Sequence, residues 1–71
     1  MDQENRMDII KTRWMHLGAK LMLKWPRLTM DDIAHRDGHR DYLVGKLRER
    51  YGIAKEKAEM QVKEFERSLV H

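Results

Sequence analysis

The chain has 71 residues, of which 41% are hydrophobic and 38% are charged, with a net charge of +3 and an isoelectric point near 9.5. A chain this short forms one domain with one core, and because it contains no cysteine, disulfides, thiolate zinc sites and cysteine nucleophiles are excluded. It has no long apolar run and no signal-peptide pattern, so we expect a cytoplasmic protein without a transmembrane segment.

The first predicted helix follows a polar stretch, residues 1–5, that we expect to be flexible. Residues 6–71 are predicted to form a single helical domain. The helix is predicted to run without interruption from near Arg6 to Lys24 or Trp25. Apolar side chains recur at steps of three or four along it, which predicts one core face: Met7, Ile10, Trp14, Leu17, Leu21 and Trp25. Pro26 cannot continue the helix, so the chain is expected to turn there, with Leu28 as an anchor.

A short second helix is predicted after Thr29, which is a favourable N-cap, with Asp32 at the third helical position. We expect this helix to end near Arg36, and it is predicted to be short or partly 3₁₀. Asp37 is predicted to cap the third helix, with Gly38 allowing a tight junction.

The third and fourth helices carry the remaining apolar stripes. The third is expected to end at Gly52, a position that favours the left-handed conformation, and the fourth to extend from about Ala54 to Leu69. Their stripes predict core positions on both helices: Leu43, Val44, Leu47 and Tyr51, then Ala58, Val62, Phe65 and Leu69. The sequence therefore predicts an all-α fold of short helices that close around Trp14, Leu47 and Phe65.

The same residues carry a family resemblance. From Trp14 to about Glu66 the chain resembles, without a gap, the CsbD-like family of small bacterial general stress-response proteins. The most specific block is Leu-Val-Gly-Lys-Leu-x-Glu-Arg-Tyr-Gly, residues 43–52. The resemblance implies a compact array of four or five short helices and a cytoplasmic protein that rises in abundance under stress. It implies no established enzymatic activity or cofactor.

Departures from the family pattern point to a contact surface. Positions 15, 22 and 23 are usually polar or charged in the family, but here they are Met15, Met22 and Leu23. With Ala19 they form a second arc on the first helix, away from the core stripe. We call these four residues the methionine patch. The patch is interpreted either as a tolerated surface, open or covered by the N-terminal residues, or as a contact for a second copy or a protein client.

Weak binding of an anionic ligand is the alternative function. Tyr42 lies off the core stripe, flanked by Arg40 and Lys46, and is the best single candidate for such a contact. Basic residues of the first and third helices could meet a nucleic acid or an anionic surface. However, the basic residues are spread thinly along the sequence, which favours an ordinary solvated surface over a nucleic-acid interface.

Several histidine, aspartate and hydroxyl side chains could in principle form a metal-binding or catalytic site. His35 and His39 have the spacing of a helical metal pair, but Gly38 and the predicted N-cap interrupt the helix that this site needs. Asp31 and Asp32 could be mistaken for a catalytic carboxylate pair, but their favourable interaction with the helix dipole at a helix start is sufficient to explain them. No hydroxyl has a histidine and a carboxylate at suggestive spacing. We therefore expect a protein that is not an enzyme.

Overall fold

The computed structural model describes residues 9–69. Within them lie five α-helices and no strand, so the all-α prediction is confirmed. The helices are α1 (Ile9–Arg13), α2 (Gly18–Lys24), α3 (Met30–Ile33), α4 (Arg40–Tyr51) and α5 (Lys55–Leu69), and a 3₁₀ turn, Trp14–His16, joins α1 to α2. The predicted flexible segment 1–5, the helix start near Arg6 and the core position Met7 lie outside the described residues.

A single core gathers side chains from all parts of the described chain. Trp14, Leu47 and Phe65 belong to it together, as the sequence predicts. Most of the core comes from the stripes predicted for the individual helices: Ile10, Trp14, Leu17, Leu21, Trp25, Leu28, Leu43, Val44, Leu47, Ala58, Val62 and Phe65. Tyr51 and Leu69 are half-buried against it.

Both tryptophans are core residues whose indole N–H groups are satisfied. Trp14 Nε1–H donates to the carbonyl oxygen of His35 at 2.7 Å, and Trp25 Nε1–H donates to Oε1 of Gln61 at 2.9 Å. The Trp25 and Phe65 rings meet edge to face with centroids 5.1 Å apart. A buried tryptophan usually finds such a partner for its N–H, so these residues tie α2 to α5 and the 3₁₀ turn to the segment after α3.

The prediction of one uninterrupted first helix is wrong. The 3₁₀ turn breaks it, and the Leu17 N–H donates to the Trp14 carbonyl three residues back, at 3.1 Å. Side chains three residues apart are eclipsed in a 3₁₀ helix, so the turn directs Trp14 and Leu17 into the core together. The α-helix resumes at Gly18, which is a weak helix former.

The turn after α2 and the start of α3 follow the prediction. Trp25, before Pro26, leaves helical geometry at φ −129° and ψ 83°, as a residue preceding proline tends to do. Leu28 is buried. Thr29 and Asp32 form a reciprocal capping box, with bonds of 3.0 and 3.1 Å between each side chain and the other residue's backbone N–H.

The junction between α3 and α4 differs from the prediction. α3 ends at Ile33, short of Arg36, and α4 begins at Arg40 after His39, so the prediction that Asp37 caps it is wrong. His39 is extended, at φ −159° and ψ 179°, so the helix begins only after it. Gly38, just before it, is buried against the indole ring of Trp14, where a side chain would overlap the ring.

Gly52 ends α4 as predicted. It adopts the left-handed conformation with φ +62°, and its N–H donates to the Arg48 carbonyl at 2.8 Å, which is the bond of an αL cap. Ile53 then packs half-buried against the core. α5 follows directly and lies along α4. No helix within residues 9–69 is long and apolar enough to cross a membrane.

Candidate functional site

The methionine patch lies on the outside of the 3₁₀ turn and α2. Met15 is 90% exposed and Leu23 is 83% exposed, while Ala19 is exposed and Met22 half-buried. At 100° per residue, Ala19 and Leu23 point away from the fully buried Leu21. The structure therefore places Ala19 and Leu23 on the side of α2 that faces away from the core, Met22 half-buried beside them, and Met15 on the exposed surface of the 3₁₀ turn. Because the 3₁₀ turn breaks the helix, the four residues do not share the continuous helical arc that the sequence predicts.

The residues predicted to contact an anionic ligand are divided between two places. Arg40 Nε lies 3.2 Å from a carboxylate oxygen of Glu66 on α5. Lys46 Nζ lies 5.8 Å from the centre of the Tyr42 ring, but also 3.1 Å from Glu49 and 3.5 Å from Asp32. The structure therefore brings Tyr42 and Lys46 together without Arg40. Each of the two cations has a carboxylate next to it, so an anion would compete with that carboxylate.

Within residues 9–69, Asp32 is the buried charged residue, and it joins α3 to α4. Its side chain is 5% exposed and accepts two hydrogen bonds from the Arg50 guanidinium, at 2.8 and 2.9 Å. The Arg50 hydrogen bonds hold the pKa of Asp32 well below its usual range, against the opposing effect of burial, with further help from Thr29 and Lys46. The carboxylate is therefore committed to the fold as an anion.

Sequence reasoning gave Asp32 only a role at the start of α3 and missed its ion pair. The two partners are separated by 18 residues, and no local pattern reports a contact at that distance. One feature of the sequence could have indicated the ion pair. Lys46 and Arg50 are four residues apart, so they share one side of α4, and two cations next to a core stripe suggest a buried acidic partner.

Tyr42 takes part in the same junction. Its hydroxyl donates to the Asp32 carbonyl at 2.9 Å, and its ring stacks on His35 with centroids 4.3 Å apart. It also meets the Trp14 ring edge to face at 5.7 Å. Burial raises the pKa of Tyr42 above its ordinary value. These contacts give Tyr42 a structural role that the sequence does not reveal.

The two histidines of the possible metal pair lie in the connection between α3 and α4. His35 stacks on Tyr42, and His39 Nδ1 lies 2.8 Å from the Asp37 carbonyl oxygen. The interruption of the helix between them, expected from Gly38, is confirmed. Residues 9–69 contain no group of three or more His, Cys, Asp or Glu side chains placed to hold a metal ion.

Comparison with known proteins finds several bacterial relatives. The chain is 52% identical over 58 residues to UPF0337 protein PA4738 of Pseudomonas aeruginosa, covering 82% of this chain and 89% of the relative. It is 45% identical over 62 residues to UPF0337 protein XAC4007 of Xanthomonas axonopodis, covering 87% and 90%. For UPF0337 protein YjbJ of Salmonella typhimurium the identity is 43% over 53 residues, covering 75% and 76%. No family model matches the chain.

Proposed function

Because the chain belongs to the UPF0337 family of small bacterial proteins, we propose that it is a CsbD-like stress-response protein that acts by binding rather than by catalysis. The proposed contact surface is the methionine patch, and the proposed location is the cytoplasm. The CsbD-like assignment rests on the motif at residues 43–52 together with the run of matching positions from Trp14 to Glu66.

The observation that carries the proposal is the contrast between the two sides of α2. One side supplies Leu21, which is fully buried in the core, while the other presents Leu23, which is 83% exposed. Full burial of a leucine or methionine side chain contributes roughly 1.5–3 kcal/mol. Leu23 and the 90% exposed Met15 are mostly in contact with water, so most of this free energy would be gained only when a partner covers them.

A non-enzymatic role is supported by the way the titratable groups are used. The strongly perturbed carboxylate, Asp32, is held by Arg50 and Thr29 inside the α3–α4 junction. Perturbed groups also occur in structural ion pairs, and here each hydrogen-bonding partner belongs to the fold. A role in the stability of the fold is therefore sufficient to explain the lowered pKa of Asp32.

The function of the patch can be tested in a bacterium whose own UPF0337 gene has been deleted. We expect the native chain to restore survival under stress, and the variant Met15→Ser/Leu23→Ser to behave like the deletion although it is folded. Met60→Ser on α5 is the matched control, because Met60 is 63% exposed and lies outside the patch. Equal survival with the patch variant and the native chain would show that the patch has no role.

The two kinds of protein partner differ in sedimentation. If a second copy covers the patch, the native chain gains mass with concentration, and Met15→Lys/Met22→Lys stays monomeric. If the partner is a different molecule, both chains remain monomers over the whole concentration range.

A further inference from the structure

The basic residues are segregated in a way that the overall composition hides. Residues 9–28 carry five Lys and Arg and no acidic residue, whereas residues 29–69 carry nine basic and nine acidic residues. Positions 1–8 add one arginine and three acidic residues, so residues 1–28 hold the whole net charge of +3. The part of the chain that bears the methionine patch is therefore the cationic part of the molecule.

The cations of the segment that bears the patch are also open to solvent. Arg13, Lys20 and Lys24 are exposed, and none of them forms an ion pair with an acidic side chain of residues 9–69. Lys24 Nζ lies 5.9 Å from the centre of the Trp25 ring. Lys20 and Leu23 are neighbours on the surface of α2, because residues three apart share a side of a helix. In contrast, Lys46 on α4 is held by two carboxylates.

This combination of charges discriminates among partners. A symmetric dimer would bring the same face of two copies together, so the interface would gather the cations of both copies while residues 9–28 supply no acidic residue to pair with them. A nucleic acid would accept the cations through its phosphates, but would leave Met15 and Leu23 in water. The surface of an anionic bilayer accepts both, because its headgroups attract cations and its acyl boundary takes apolar side chains.

We propose that the methionine patch docks on an anionic lipid bilayer. Met15 and Leu23 enter the boundary between headgroups and acyl chains, while Arg13, Lys20 and Lys24 meet lipid phosphates. This inference rests on the proposed function and names its partner. Two apolar side chains and three cations give weak, reversible binding, with a partition constant on the order of 10⁴ M⁻¹.

Vesicle flotation tests the electrostatic part. The native chain is expected to float with phosphatidylglycerol vesicles, to be released by salt, and not to float with phosphatidylcholine vesicles. Lys20→Glu/Lys24→Glu is expected to bind at least roughly thirty-fold more weakly, because the loss of two cations alone accounts for about that factor and the anionic surface also repels the added carboxylates. The matched control is Lys57→Glu/Lys63→Glu, which makes the same change of net charge at two exposed positions of α5 and is expected to retain most of the binding.

The apolar part is tested by a fluorophore that reports its surroundings. The chain has no cysteine, so Leu23→Cys and Met60→Cys each provide a single labelling position. A blue shift on adding phosphatidylglycerol vesicles is expected for the label at position 23 and not for the label at position 60. Met15→Ser/Leu23→Ser is expected to lower vesicle binding by at least about tenfold, which is the factor for the burial of one such side chain.

Three results would overturn the proposal. The first is that the chain shows no preference for anionic vesicles, and the second is that the two charge-reversal variants lose equal amounts of vesicle binding. The third is that neither the native chain nor any variant floats with vesicles, while both the native chain and Met15→Ser/Leu23→Ser bind duplex DNA. Absence of flotation together with loss of survival in the patch variant rejects the bilayer and leaves the proposed binding function with another partner. Flotation together with full survival of the patch variant rejects the proposed function and leaves the lipid contact.

Discussion

Adding one methyl group at Gly38 should have the opposite effect to adding the same group at Gly45. A methyl group on the α-carbon of Gly38 would overlap the Trp14 indole ring, whereas at Gly45 nothing lies within 4 Å. Gly45 is exposed in the middle of α4. The pair Gly38→Ala and Gly45→Ala therefore separates a steric effect in the core from the intrinsic effect of replacing glycine.

The size of both effects follows from their surroundings. Overpacking a core costs about 1–3 kcal/mol, and displacing the indole of Trp14 also breaks its hydrogen bond to His35, worth roughly 1 kcal/mol. Gly38→Ala should therefore lower the free energy of unfolding by about 3 kcal/mol, which is most of the stability of a domain this small. Gly45→Ala should raise it by about 0.5–1 kcal/mol.

Urea unfolding, followed by tryptophan fluorescence and by far-UV circular dichroism, measures both changes. The urea midpoint of Gly38→Ala should fall by roughly 2–3 M, and its tryptophan emission should shift to the red because Trp14 becomes exposed. The midpoint of Gly45→Ala should rise slightly with unchanged emission. If Gly38→Ala unfolds at the native midpoint, the packing of Trp14 on Gly38 is not what fixes the α3–α4 junction.

Three further variants test the junction, the α4 cap and the core. Asp32→Asn should destabilise the chain by roughly 2 kcal/mol at neutral pH. The pKa of Asp32 is lowered in the folded chain. The native chain should therefore lose this difference in unfolding free energy as the pH falls below about 4, while the variant has no such loss. If the urea midpoints of both chains change in parallel with pH, this reasoning is refuted. Gly52→Ala should cost about 1 kcal/mol, because its φ is +62° and alanine is strained there; an unchanged thermal midpoint would contradict it. Phe65→Ala should cost about 3 kcal/mol or more, and the loss of its contact with Trp25 should appear in the near-UV circular dichroism.

Local patterns in the sequence were sufficient to predict the core and most helix ends. Apolar spacing identified the buried faces around Leu21, Leu47 and Phe65, and single residues with a strong backbone preference identified the ends at Thr29 and Gly52. These features depend on neighbours within a few residues, which is why periodicity and capping chemistry find them.

Features that depend on distant contacts were not predicted. The indole ring of Trp14, in the 3₁₀ turn, lies against Gly38 in the connection before α4, 24 positions away in the sequence, and local patterns do not report such a contact. The ion pair of Asp32 and Arg50 and the stacking of Tyr42 on His35 likewise cross from one element to another. Asp37 was assigned as a cap from its residue type alone, and its tertiary surroundings overrode that preference.

The candidate surface was predictable for a different reason. Met15 and Leu23 lie off the core stripe, so periodicity alone places them outside, and the structure confirms their exposure. The small net charge of the whole chain obscured the charge around them. Residues 9–28 contain no acidic residue at all, so the prediction of thinly spread basic residues does not hold for this segment.

Amide chemical-shift mapping of the isotope-labelled chain, titrated with anionic bicelles, shows directly which surface of the protein meets the lipid. Shifts and line broadening are expected to concentrate in residues 13–24, and the exposed side of α5 around Met60 is expected to be unaffected. Perturbations centred on α4 and α5, or none while the chain remains folded, would contradict this expectation.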